Sequence, residues 1–175
     1  GASGGTGRVL EYFGTGCQSI SCSGKATVCN MGAELGATAS LFPFDEGMAR
    51  YLRAVGRAEA AQAAERHAAE LREDADAEDC PQRCFDQLLE IDLSALEPAW
   101  AGPHTPDLYT PVARMAEVVQ GRGYPDRISA ALIGSCTNSS YEDISRAAAV
   151  AAEALAHGLK AAAPFYVTPG STEVE

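Results

Sequence analysis

The stretch from 127 to 168 constrains the fold more than any other part of this chain. "RISAALIGS" is an apolar run bounded by polar residues and reads as a strand, and "PFYVT" reads as a second one. Between them, from about 140 to 159, lies a long Ala-rich helical segment. A strand, a long helix and another apolar strand make a βαβ unit, with parallel strands in a sheet covered on both faces. In such sheets ligands bind beyond the carboxyl ends of the strands. Cys136 falls just past the first strand and Thr168 to Ser171 just past the second, so both turns are expected to open on one edge.

The rest of the chain is read more coarsely. "GGTGRVLEYFGTG" gives a glycine turn, a short strand over Arg8 to Phe13, and another turn. Its glycines do not make a phosphate loop, since no Lys-Ser/Thr follows. A helix is expected from about Ala26 to Thr38, and "SLFPF" as a short buried strand. Residues 47 to 73 predict two helices broken near Gly56, followed by an acidic solvated loop, "REDADAEDCPQRC". "FDQLLEIDL" predicts a strand, and 93 to 111 a proline-rich connector that is the best domain boundary. A further helix is expected over about 112 to 121.

Cys136 has several readings. A helix N-terminus just after it would favour a thiolate, the form that ligates metal or attacks carbon. It is equally a half-buried cysteine beside an N-cap at Ser139 or Ser140. A catalytic cysteine would need a histidine base, and of His67, His104 and His157 none falls at a strand end. Cys80 and Cys84 have a loose zinc spacing, but no second Cys or His pair follows at finger distance. A second constellation lies on the helix after Gly24. Thr27, Asn30, Glu34 and Thr38 recur at spacings of three, four and four and share one face. That stripe is either a solvated side or the wall of a cleft, where a carboxylate can handle protons.

The net charge of -11 argues against a nucleic-acid partner, and no apolar run approaches the roughly 18 residues of a membrane span. With 46% hydrophobic residues and six cysteines, the chain suits a reducing compartment better than a disulfide-stapled secreted fold. Both ends read as cut, so the chain is expected to be a piece of something longer.

Taken in order, "GGTGRVLEYFGTG", "SISCSGKATVCNMGAELGAT", "GPHTPDL" and "GSCTNSSYED" closely resemble the aconitase family, specifically its mitochondrial type. The likeness covers essentially the whole chain except the acidic loop around 72 to 84. The cysteine motif alone also fits the isopropylmalate isomerase and homoaconitase large subunits, but "NSSYED" and "CNMGAE" favour aconitase. The resemblance implies mostly parallel three-layer α/β/α domains, with 1–96 ending one and 97–175 beginning the next. It implies a hydro-lyase that interconverts citrate and isocitrate through cis-aconitate, with a 4Fe–4S cluster as Lewis acid and a small tricarboxylate as substrate.

By this resemblance Cys136 matches the first of three cluster cysteines, and the other two belong to a stretch this chain does not reach. Asn30 and Glu34 match the family's Asn and Glu near the substrate-binding iron. Lys25 stands where the family more often has methionine, and Cys17, Cys22 and Cys29 are not family ligands. A single thiolate cannot retain a cluster, so the chain alone is expected to be inactive, with the remainder of the parent polypeptide needed to complete the site. A mitochondrial matrix location is implied, or the cytoplasm for a bacterial source. A related isomerase and a non-catalytic iron-responsive RNA binder are the alternatives.

Overall fold

The computed structural model describes residues 4–175. It is a mixed α/β chain of two units, Gly1–Glu97 and Pro98–Glu175.

In the first unit, β1 (Val9–Glu11) and β2 (Ala39–Leu41) pair in parallel, with Leu10 opposite Ser40. The crossover between them is α1 (Cys22–Glu34). Ser21 caps it, its side chain accepting from the Gly24 N–H at 3.1 Å, so the helix starts four residues before the expected Ala26. It also ends earlier. Gly36 takes φ +82, the left-handed conformation that stops a helix, and a Cβ there would lie 2.8 Å from Thr6 Oγ1. Thr38 therefore leaves the helical stripe, its N–H donating to the Arg8 carbonyl at 2.7 Å as the chain enters β2. That strand is not the buried one expected, since Leu41 is half exposed.

Helices α2 (Glu46–Ala54) and α3 (Ala58–Arg66) break at Gly56, φ +76, as their sequence predicts. Arg53 of one pairs with Glu65 of the other at 2.5 Å. The acidic segment is not a plain loop. It holds two short helices, α4 (Ala75–Asp79), which buries Ala77, and α5 (Pro81–Cys84), which Pro81 opens. Residues 85 to 93, "FDQLLEIDL", form no strand. A strand needs a ladder partner, and none of the described residues pairs with them. Leu88, Leu89 and Ile91 stay exposed, and Asp92 turns the chain by accepting from the Ser94 N–H at 2.9 Å.

In the second unit, the expected connector contains an antiparallel pair, β3 (Ala99–Ala101) and β4 (Tyr109–Pro111), with Trp100 opposite Thr110. Helix α6 (Met115–Arg122) follows one 3₁₀ turn and stops at Gly123, φ +64. The βαβ unit forms as its sequence predicts. Strands β5 (Ala131–Ile133) and β6 (Phe165–Val167) are parallel, Leu132 faces Tyr166 across the ladder, and α7 (Tyr141–Ala156) connects them.

The core is thin. Among the described residues no large side chain is fully buried, and the buried apolar ones are Cys17, Ala49, Ala61 and Ala77. The accessible surface is 13060 Å² for 18.2 kDa. Two separate folded units of half that mass would expose about 9,800 Å² together. Large apolar side chains such as Leu132, Tyr141, Val150, Leu155 and Tyr166 are well exposed.

Candidate functional site

Cys136 sits in the turn between β5 and α7, and its thiol is exposed. Its sulfur lies 3.7 Å from Thr137 Oγ1. The turn is built from its own small polar residues. Ser135 Oγ accepts from the N–H groups of Thr137 at 3.0 Å and Asn138 at 2.7 Å. Ser139, only 5% exposed, returns its hydroxyl to the Ser135 carbonyl at 2.5 Å. These bonds satisfy backbone groups that a strand-to-helix turn otherwise leaves open. Ser140 then starts α7 through a capping box. Its Oγ accepts from the Asp143 N–H at 3.3 Å, while Asp143 Oδ2 accepts from the Ser140 N–H at 3.2 Å. Of the two expected caps, Ser140 is the one used.

The loop after β6 closes on this turn. Gly170 N–H donates to the Ser139 carbonyl at 2.9 Å, and Thr168 N–H donates to the Ile133 carbonyl at 2.9 Å. Both contacts require glycine. A Cβ on Gly170 would lie 2.7 Å from the Ser139 carbonyl oxygen, and one on Gly134 would overlap Thr168 Oγ1 and its carbonyl. Gly134 also has φ +133. The two post-strand turns thus share one edge, with Cys136 on it.

Asn30 and Glu34 lie on α1 in the first unit, both exposed and on one face. Their face is opposite the buried one, which consists of Lys25 and Gly32. Cys29 borders that buried face, its sulfur 3.7 Å from the Ser40 carbonyl. Glu34 ends the helix beside the amino-terminal edge of β1, where Gly5 N–H donates to the Leu35 carbonyl at 2.9 Å. A cavity of about 260 Å³ opens at the amino-terminal ends of β5 and β6, lined by Arg127, Ser129 and Pro164, and contains none of these residues.

Burial pushes the thiols of Cys17, Cys22 and Cys29 up, with Asp45 adding to the rise at Cys17 and Cys22 against a lowering by Lys25. They stay protonated at neutral pH and are poor ligands. Cys80 is half-buried and Cys84 exposed. Among the described residues no group of three or more Cys, His, Asp or Glu side chains is placed to hold a metal ion. His157 cannot act as a base for Cys136. It caps the far end of α7, a helix whose 16 residues span about 24 Å.

Comparison with known proteins decides the family. The aconitase family (aconitate hydratase) matches over residues 1–175. The chain belongs to the aconitase family. It is 54% identical over 171 residues to the mitochondrial aconitate hydratase of Emericella nidulans, covering 98% of this chain and 21% of that protein. With the mitochondrial aconitate hydratase of Candida albicans it is 52% identical over 172 residues, at the same coverage. The mitochondrial homocitrate dehydratase of Saccharomyces cerevisiae is 51% identical over 174 residues, again at 98% and 21%. This aconitase-family chain therefore spans about a fifth of the length of the curated relatives it matches.

A 4Fe–4S cluster, as membership implies, takes three or four thiolates. Its fit here is partial. The second unit offers one exposed thiol held on a constrained turn; in the first unit Cys17 is buried, Cys22, Cys29 and Cys80 are half-buried and Cys84 is exposed, and no three of these side chains are grouped to hold a metal among the described residues. No helix among the described residues is long and apolar enough to cross a membrane.

Proposed function

We propose that this chain is part of an aconitate hydratase, a hydro-lyase that interconverts citrate and isocitrate through cis-aconitate. The observation that carries this is the match over residues 1–175, at 54% identity to a protein of that name. Residues 1–96 then close one α/β domain and 97–175 open the next. The open apolar surface supports a need for the remaining polypeptide. The names of the relatives support a mitochondrial location.

Cys136 is one thiolate ligand of the 4Fe–4S cluster, and two more come from elsewhere in the polypeptide. When bound, the cluster supplies Lewis acidity at an iron that no cysteine holds. Cys136 gives up its proton on ligation, and the bonds of Ser135 and Ser139 hold its turn in place. The Asn30 amide orients the substrate by hydrogen bonding to its hydroxyl or carboxylate oxygens. Glu34 exchanges a proton with the hydroxyl that leaves and the water that returns. With a net charge of -11, tricarboxylate binding falls to cationic groups outside this chain.

Anaerobic reconstitution with iron and sulfide tests the reading. The full-length parent is expected to take up a cluster and turn over citrate, and the 175-residue chain to do neither. A stoichiometric cluster with turnover on the short chain overturns it. The homocitrate dehydratase relative supports a second substrate, one methylene longer. Comparing kcat/KM for citrate and for the longer homologue in the parent enzyme decides between them.

A further inference from the structure

We propose that the ion pair between Lys25 and Asp45 fixes the rotation and position of α1, and so places Asn30 and Glu34. This rests on the role given to those two residues above.

Helix α1 has no apolar stripe to orient it. Met31 is 43% exposed, Val28 and Cys29 are half-buried, and the residues it buries are Lys25 and Gly32. Hydrophobic burial alone therefore leaves its rotation undetermined. Lys25 is 2% exposed, and its ammonium contacts Asp45 Oδ2. The same ammonium lies 5.6 Å from the centre of the Phe42 ring, which stacks on Tyr12 at 4.4 Å. Asp45 is itself fixed, its Oδ1 accepting from the Met48 N–H at 2.9 Å as the cap of α2. One buried charge thus ties the first turn of α1 to the ends of both strands and to the next helix. At 100° per residue, Asn30 and Glu34 lie about 140° and 180° around the helix from Lys25. Gly32 lies about 20° from it and makes the second anchor, approaching Ser40 too closely for a Cβ. Rotation about these anchors sweeps Asn30 and Glu34 directly. Exchanging such a pair for apolar groups need cost no stability, whereas removing one partner strands a desolvated charge, so the pair serves chiefly to specify one arrangement. Lys25 and Asp45 are positioning residues.

The test uses the full-length parent with Lys25→Met, Asp45→Asn, the double variant and Lys25→Arg. Two readouts are taken: amide hydrogen exchange across α1, and kcat and KM at matched cluster content. Each single variant is expected to speed exchange at Met31 and Gly32. Each is also expected to lower kcat on the order of tenfold or more, with KM little changed. The double variant and Lys25→Arg recover both. Unchanged exchange in the single variants, or losses that multiply in the double, overturns the proposal. Exchange that responds while kcat does not contradicts the link to Asn30 and Glu34. A wild-type parent without tricarboxylate turnover defeats the enzymatic reading instead, and exchange still decides the pair.

Discussion

The N–H of Gly170 donates to the carbonyl of Ser139 at 2.9 Å, joining the loop after β6 to the turn that carries Cys136. No side chain fits at this junction. In Gly170→Ala the new Cβ would lie 2.7 Å from that carbonyl oxygen and 2.8 Å from Ser139 Oγ. The expected cost is about 1–3 kcal/mol, as for other overpacked sites. Urea unfolding of the parent enzyme measures it, and an unchanged midpoint contradicts the junction.

Gly134→Ala is expected to be the more damaging of the two. It meets Thr168 and also forces alanine into φ +133. The same unfolding series ranks the variants, and a Gly134→Ala milder than Gly170→Ala counts against the account.

Ser140→Ala removes the hydroxyl half of the capping box and leaves the Asp143 N–H without its acceptor. A loss of about 1 kcal/mol is expected, typical of a serine N-cap. Hydrogen exchange localises it: protection should fall in the first turn of α7 and persist toward Ala156.

Asp45 sets an acid limit on the first unit. Burial alone would raise its carboxyl, but hydrogen bonds from Lys25 and the Met48 N–H, with the Lys25 charge, bring it below the usual range. A depressed carboxyl contributes stability that is complete above its unfolded value, about 3.9. That contribution is lost as pH falls through the lower folded value. Asp45→Asn should therefore flatten the dependence of stability on pH below about 4 and leave its shape near neutrality unchanged. Unfolding curves at stepped pH test this.

The parts of this fold that were legible in sequence have strong local signals. The βαβ unit of the second half follows from two apolar runs around an Ala-rich segment, and in the first half Gly56, which takes φ +76, marks the break between α2 and α3. Features that depend on pairing across the chain were not legible. The strand expected over 85 to 93 has suitable residues but no neighbour among the described residues, while β3 and β4 pair inside a proline-rich stretch that resembles a linker. The burial of Lys25 has no local signal, since its partners Phe42 and Asp45 lie seventeen and twenty residues later. At the site, the strand-end position of Cys136 and the cap at Ser140 were local signals. The contact of Gly134 and Gly170 with the facing turn joins two distant segments and carries none.

Iron and acid-labile sulfide per polypeptide, measured in the full-length parent with Cys136→Ser beside Cys84→Ser, test the central claim most directly. Both thiols are exposed, so the pair controls for reactivity. The account predicts that Cys136→Ser loses the cluster and its visible absorption, while Cys84→Ser keeps both. A fully loaded cluster in folded Cys136→Ser would contradict it.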